Sequence, residues 1–249
     1  MRGDAGFPLR LRFSKSGKVR FISHRDVARA FERAVRIAEV PIAFTQGFAP
    51  RPKMSFGLAL AVGHESQAEY LDVELRDAVA PAELATALSA GLPAGLTVTG
   101  AAALPPRVPA LQEAVTAVAY QLGFAELPSD TLDAAAAAAH RADTLPVTTT
   151  RHRAPVVVDI RPSLRRIEVD PSTRTLAVEV STQPRAARPG EVLTAVRALA
   201  GVESGDGEDR VLRTHQWIER DGARLEPLEA DRAVPAPDGA SPRALEACA

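Results

Sequence analysis

The sequence holds a single cysteine, Cys248, one residue from its end. One thiol closes no internal disulfide and builds no multi-cysteine metal site. No stretch approaches the ~18 consecutive apolar residues needed to cross a bilayer. The opening MRGDAGFPLRLRF has no apolar signal core, so a cytoplasmic location and no membrane partner are expected. The patterns G-x-x-x-x-G-K-[ST], G-x-G-x-x-G and C-x-x-C are all missing. Nucleotide hydrolysis and redox-cofactor chemistry therefore have no motif to rest on, and no cofactor is expected. His64, His140, His152 and His215 are scattered without the spacing of a metal site, so no metal is expected either.

Charge is unevenly distributed. Residues 1–53 carry twelve basic side chains against four acids (Asp4, Asp26, Glu32 and Glu39), a net of +8, while the whole chain stands at −1. Lys15, Lys18 and Lys53 are the only lysines and all lie there, with six of the eight phenylalanines. Such asymmetry points to an anionic partner on one lobe, nucleic acid before membrane.

The centre of that lobe is Arg20–Ser55. Ser23 with Asp26 three residues on forms a helix-start signature. Val27, Phe31, Ala34, Val35 and Ala38 then recur on one helical face, and Arg25, Arg29, Arg33 and Arg36 fall on the opposite one. Pro41 stops the helix near Glu39. A strand is expected over Pro41–Thr45, followed by the loop Gln46–Lys53, which holds Arg51 and Lys53 between prolines with Phe48 at its middle. The arginine stripe reads either as a solvated face or as a phosphate-binding one.

Along the rest of the chain, Leu9, Leu11 and Phe13 alternate with polar residues as a half-buried strand, and Val19–Ile22 reads as its short return. Met54–Val62 reads as a mostly buried strand, and Glu69–Leu75 alternates with Tyr70, Asp72 and Glu74 outward. A helix over Glu83–Ala90 and a strand over Leu96–Ala103 precede a break at Pro105-Pro106 and Pro109. A second round follows: strand Ala114–Phe124, helix Asp130–Ala142, strands Val147–Thr150 and Val156–Ile160, the hairpin Leu164–Val169/Thr175–Ser181, helix Pro189–Ala200 and strand Val211–Ile218 with Trp217 as an anchor. The expected fold is α+β: two tandem ferredoxin-like βαββαβ domains, residues 1–106 and 107–225, with a disordered tail over 226–249 whose Pro/Ala-rich composition is weakly patterned.

His24 is the first residue inside the early helix, where the helix start and neighbouring cations disfavour a further positive charge. That suits a neutral general base; capping or packing the helix end is the alternative. Glu69, Asp72 and Glu74 read as an exposed strand face rather than a catalytic carboxylate cluster. A second basic knot, Arg151-His152-Arg153 followed by Asp159-Ile160-Arg161-Pro162, reads as a phosphate contact or a local Arg–Asp pair.

Four motifs carry a resemblance: Phe13-Ser14-Lys15-x-Gly17; Arg20-Phe21-Ile22-Ser23-His24-x-Asp26; Gln46-Gly47-Phe48-x-Pro50-x-Pro52-Lys53-x-Ser55-Phe56; and Gly63-x-Glu65-Ser66-x-x-Glu69-Tyr70-x-Asp72. Together with Asp159–Pro162 they resemble, over roughly residues 8–220, an uncharacterised bacterial family encoded beside, or fused to the C-terminus of, a B12-binding-type radical SAM protein. The resemblance implies a radical SAM protein as partner, and the missing C-x-x-x-C-x-x-C ligands leave any such chemistry to that partner. The architecture and His24 are also similar to the repeat-cleaving endoribonucleases of CRISPR systems, although the segment Gly201–Gly207 is acidic where those enzymes carry a glycine-rich loop. The leading expectation is a non-catalytic accessory module that binds RNA through Lys15, Lys18, Arg25, Arg29, Phe48, Arg51 and Lys53, with Arg151, Arg153 and Arg161 as further contacts. A metal-independent endoribonuclease using His24, or a pure protein–protein adaptor, are the alternatives.

Overall fold

Alternation of Leu9, Leu11 and Phe13 against Arg10 and Arg12 produces β1 (Phe7–Lys15), the central strand of the N-terminal sheet. A computed structural model describes residues 6–125, 127–151, 153–202 and 209–232, apart from the Arg151 side chain. The chain divides into two compact units, Met1–Ala114 with Ile218–Ala249, and Val115–Trp217.

In the first unit, β1 is followed by a 3-10 turn over Gly17–Phe21, where the sequence suggested a return strand. Gly17, two residues past the end of the strand, takes a left-handed φ of 67°, and the buried Lys15 ammonium donates to the carbonyls of Arg20 and Ile22, each at 3.1 Å. These contacts fold the segment over the strand end instead of along its edge. Helix α1 (His24–Ile37) starts at the expected capping box. The Ser23 hydroxyl accepts from the Asp26 amide at 3.3 Å, and the Asp26 carboxylate accepts from the Ser23 amide at 3.2 Å. Val27, Phe31, Ala34 and Val35 are its buried face.

The expected strand at Pro41–Thr45 is reduced to two isolated bridges, Ile42 to Leu75 and Phe44 to Pro52. Of the apolar run Met54–Val62, only Met54–Phe56 pairs, as β2. After Gly57 donates to the Tyr70 carbonyl at 2.9 Å, the chain leaves the sheet, and Leu58 and Leu60 line a cleft instead. Periodicity cannot distinguish an apolar loop packed on a cleft from a buried strand. The order continues with β3 (Glu65–Leu75), α2 (Pro81–Gly91), β4 (Leu96–Ala103) and a short α3 (Leu111–Ala114). Strands run antiparallel in the order β4-β1-β3-β2. Leu9, Leu11, Phe13, Leu71, Val73 and Leu75 meet Phe31, Leu84 and Leu88 in one core. Helices α1 and α2 approach closely at Gly91, where a Cβ would lie 3.1 Å from the Ala34 Cα.

In the second unit come β5 (Ala117–Gly123), α4 (Ser129–Arg141), the hairpin β6 (Pro146–Arg151) and β7 (Ala154–Asp159), then β8 (Leu164–Asp170), β9 (Thr175–Ser181), α5 (Pro189–Leu199) and β10 (Arg210–Arg220). The strand order is β10-β5-β9-β8, all antiparallel, and β6–β7 form a separate two-stranded sheet. Leu122, Leu176, Val178 and Val196 are buried within it, and Trp217 is half-buried.

The last strand residues count with the first unit. There β11 (Ala223–Leu225) pairs with Ile218–Arg220, and α6 (Pro227–Ala230) follows. The tail expected from residue 226 is therefore ordered through its first seven residues, because Pro227 and Asp231 are buried against the unit. The remainder of that expected tail, with Cys248, lies outside the described residues. No helix among the described residues is long and apolar enough to cross a membrane.

Candidate functional site

Amphipathic spacing on α1 decides which arginines face water. Arg25, Arg29, Arg33 and Arg36 are all exposed, opposite the Phe31 face. Arg29 contacts Asp26 at 3.4 Å, with two-thirds of its side chain still exposed.

The Gln46–Lys53 loop is closed at its base. Thr45 donates to the Arg51 carbonyl at 2.8 Å, the Arg51 amide donates to the Thr45 hydroxyl at 3.0 Å, and Lys53 donates to the Ala43 carbonyl at 2.8 Å. Gly47, at φ 135°, makes the turn that presents Phe48, whose ring is fully exposed at 106 %. Arg51 is exposed on the same loop. Lys53 is half-buried and paired with Glu74 at 2.7 Å. A groove joins this loop to α1: Phe44, Pro50 and Pro52 line it with Arg36, Glu32 and Arg76. Of the α1 arginines, it is therefore Arg36 that shares a groove with the loop.

Lys15 has a different role from the surface cation expected of it. It is 3 % exposed, and its ammonium serves the two backbone carbonyls that hold the 3-10 turn. Burial pushes it below the ordinary lysine value, and the Glu69 charge offsets this in part. Lys18 is exposed.

Lys15 and Glu69 line a small cleft with Phe13, Val27, Phe56 and His24. The His24 ring stands edge-on to Phe56, with centroids 5.0 Å apart, and Phe56 in turn packs on Phe31 at 5.8 Å. The strand pairing sets Glu69 opposite Phe13, hence on the core side with Leu71. The sequence carried that signal: Glu69 has the same parity as Leu71, opposite to Tyr70, Asp72 and Glu74. An imidazole and a carboxylate on one cleft can exchange protons with a ligand at its mouth, while the Lys15 ammonium stays tied to its two carbonyls. Among the described residues, no three His, Cys, Asp or Glu side chains gather as metal ligands.

In the second unit, Arg161 is committed to its own backbone, donating to the carbonyls of Ala142 at 2.9 Å, Leu164 at 3.1 Å and His140 at 3.3 Å. Asp159 accepts from the Leu145 amide at 2.7 Å and the Arg161 amide at 3.0 Å. Asp159 and Arg161 thus fasten this corner through backbone groups. Arg153 is exposed at the hairpin turn with φ 65°, while the Arg151 side chain and His152 lie outside the described residues.

One cluster was missed altogether. Arg10, fully buried, is gripped by Asp72 through two bonds of 2.7 and 2.8 Å and by Asp231 at 2.7 Å. Burial opposes its charge, but the two carboxylates outweigh burial and raise its pKa. Alternation placed Arg10 on the outward face of β1, and no local signal showed that Asp231 would cover it.

The model of a bacterial family described as "Uncharacterized protein conserved in bacteria (DUF2344)" matches residues 8–189. No curated protein matches the chain.

Proposed function

This chain belongs to that uncharacterised bacterial family, and from that premise we propose that it is a non-catalytic RNA-binding module serving a radical SAM partner. The observation that carries RNA binding is the fully exposed Phe48 with the exposed Arg51 on one loop whose base is pinned. Exposing a whole aromatic ring on a constrained loop offers a stacking surface, and a base has a π-face to meet it. The exposed arginines of α1 supply the phosphate contacts in the same unit. The four motifs quoted above support the radical SAM partner. The strand orders β4-β1-β3-β2 and β10-β5-β9-β8, with a helix after the first and third strand of each set, support reading the two units as tandem ferredoxin-like domains. The test is binding of a single-stranded RNA across a salt series by the full chain, Arg29→Ala/Arg33→Ala, and Phe48→Ala. A steep salt dependence, flattened in the arginine variant, supports the module. Salt-independent or absent binding removes RNA and leaves a protein adaptor.

A second reading, metal-independent RNA cleavage, is favoured by one observation: His24 shares its cleft with Lys15 and Glu69. RNA cleavage in chelator by the full chain, lost in His24→Ala, would favour it over the module.

A further inference from the structure

The face of β1, β3 and β4 opposite the helices carries Arg10, Arg12, Tyr70 and Asp72, with Arg12 directly paired to Tyr70 and Arg10 to Asp72. The chain's own residues 226–232 lie on that face. Glu226 meets Arg12 at 3.0 Å. Asp231 meets Arg10 at 2.7 Å and Arg220 at 3.1 Å. The Pro227 carbonyl accepts from Arg10 at 3.3 Å, and Leu228 sits where a Cβ on Gly100 would come within 2.9 Å of it. Without the segment, among the described residues Asp72 is the one carboxylate on Arg10, Arg12 keeps only the Gln67 carbonyl, and Arg220 keeps no acidic partner. The segment supplies two more carboxylates and brings this group of charges to balance.

The fit is incomplete. Tyr70 is 1 % exposed, yet its hydroxyl has no hydrogen-bond partner among the described residues. Burial above all, with the charges of Glu226 and Glu69 set against those of Arg12 and Arg10, disfavours ionisation of that hydroxyl, and Glu226 itself leaves Oε1 buried and unpartnered. A buried donor and a buried acceptor left unpaired are costly. The segment therefore satisfies the arginines but not the tyrosine.

We infer that this face is a second binding site for single-stranded RNA, held in the free protein by residues 226–232 as a displaceable acidic strap. Its cationic and aromatic groups match a nucleotide. Phosphate oxygens replace the carboxylates on Arg12 and Arg220, the Tyr70 hydroxyl gains a base or ribose acceptor, and its ring is uncovered for stacking. A carboxylate peptide repeats what the strap already offers. The inference rests on the RNA-binding reading, and its test separates the two.

Binding of a uridine decamer is measured at fixed low salt for the full chain, Phe48→Ala and Glu226→Gln, the last of which leaves the Arg10 triad intact. Amide exchange of residues 226–232 is followed in the unmodified chain with and without the decamer. The strap predicts about fivefold tighter binding by Glu226→Gln, the effect of loosening one partly buried ion pair, together with faster exchange of 226–232 on adding RNA. Unchanged affinity or unchanged exchange overturns it, even if Phe48→Ala weakens binding and the module reading stands. Absence of RNA binding by every form overturns both readings. Release of the strap by a polyglutamate peptide but not by the decamer assigns the face to an acidic protein partner, and overturns the RNA site.

Discussion

Arg10 and Asp72 face each other across directly paired strands and form a two-pronged ion pair, Nε to Oδ1 at 2.7 Å and Nη2 to Oδ2 at 2.8 Å. Arg10 is buried, so removing its partner strands a charge away from water. Asp72→Ala is expected to cost about 3 kcal/mol, the low end for breaking a buried pair because Asp231 remains. Urea unfolding would show it, and a loss within error of zero would mean that Asp231 suffices alone.

Ending the chain after Leu225 removes Asp231 and the Pro227 carbonyl from Arg10, and Glu226 from Arg12. A composition-based reading of residues 226–249 predicts no effect. The buried contacts predict a melting temperature lower by several degrees, at roughly 2–4 °C per kcal/mol for a chain of this size. A thermal scan of the truncated chain decides between them.

Gly95 takes a left-handed φ of 96°, and a Cβ there would lie 2.4 Å from the Ser16 carbonyl oxygen. The facing Ser16 amide donates to the Gly95 carbonyl at 2.9 Å and locks the two backbones together. Gly95→Ala is expected to destabilise by more than ~1–2 kcal/mol, the left-handed cost alone. Gly17→Ala, with the same sign of φ and open space around it, should cost less. Equal losses in denaturant titrations would show that the clash is relieved.

For RNA binding, Phe48→Ala should weaken affinity by ~1–3 kcal/mol, as for a stacked base. Arg29→Ala/Arg33→Ala should reduce the salt slope by about two, one for each phosphate contact. His24→Ala should leave binding intact under the module reading. Fluorescence anisotropy across a salt series measures all three, and a large binding loss in His24→Ala would move the ligand into the cleft.

Two groups give stability a pH dependence of known sign. Hydrogen bonds from Ser23, with a smaller contribution from Arg29, hold the Asp26 carboxyl below its usual value. Its contribution is present above the ordinary carboxylate range and lost as pH falls through the depressed folded value. Burial lowers Lys15, so between its folded value and the ordinary lysine value the unfolded chain binds more protons, and stability rises with pH there. Asp26→Asn should flatten the acid limb and Lys15→Met the alkaline one. Denaturation midpoints across pH check both, and unaltered limbs would contradict the assigned causes.

Local chemistry was enough to fix several elements. Ser23 and Asp26 are three residues apart, so their capping box could be read directly, and the 3.6-residue spacing of Val27, Phe31, Ala34 and Val35 set which face of α1 is buried and which displays arginines. Alternation likewise located β1 and the core-facing half of β3. Phe48 and Arg51 could be assigned to a constrained loop from their flanking prolines and Gly47. Pairing between distant segments could not be read this way. Lys15 became an interior tie because the chain folds Arg20 and Ile22 back over it, and Met54–Val62 became mostly loop because β3 pairs only with its first three residues. Asp231 reaches Arg10 across 221 residues, a contact that no local periodicity encodes. Short-range rules govern helix caps and strand faces; which buried charge meets which depends on closing long loops, and only the tertiary structure decides that.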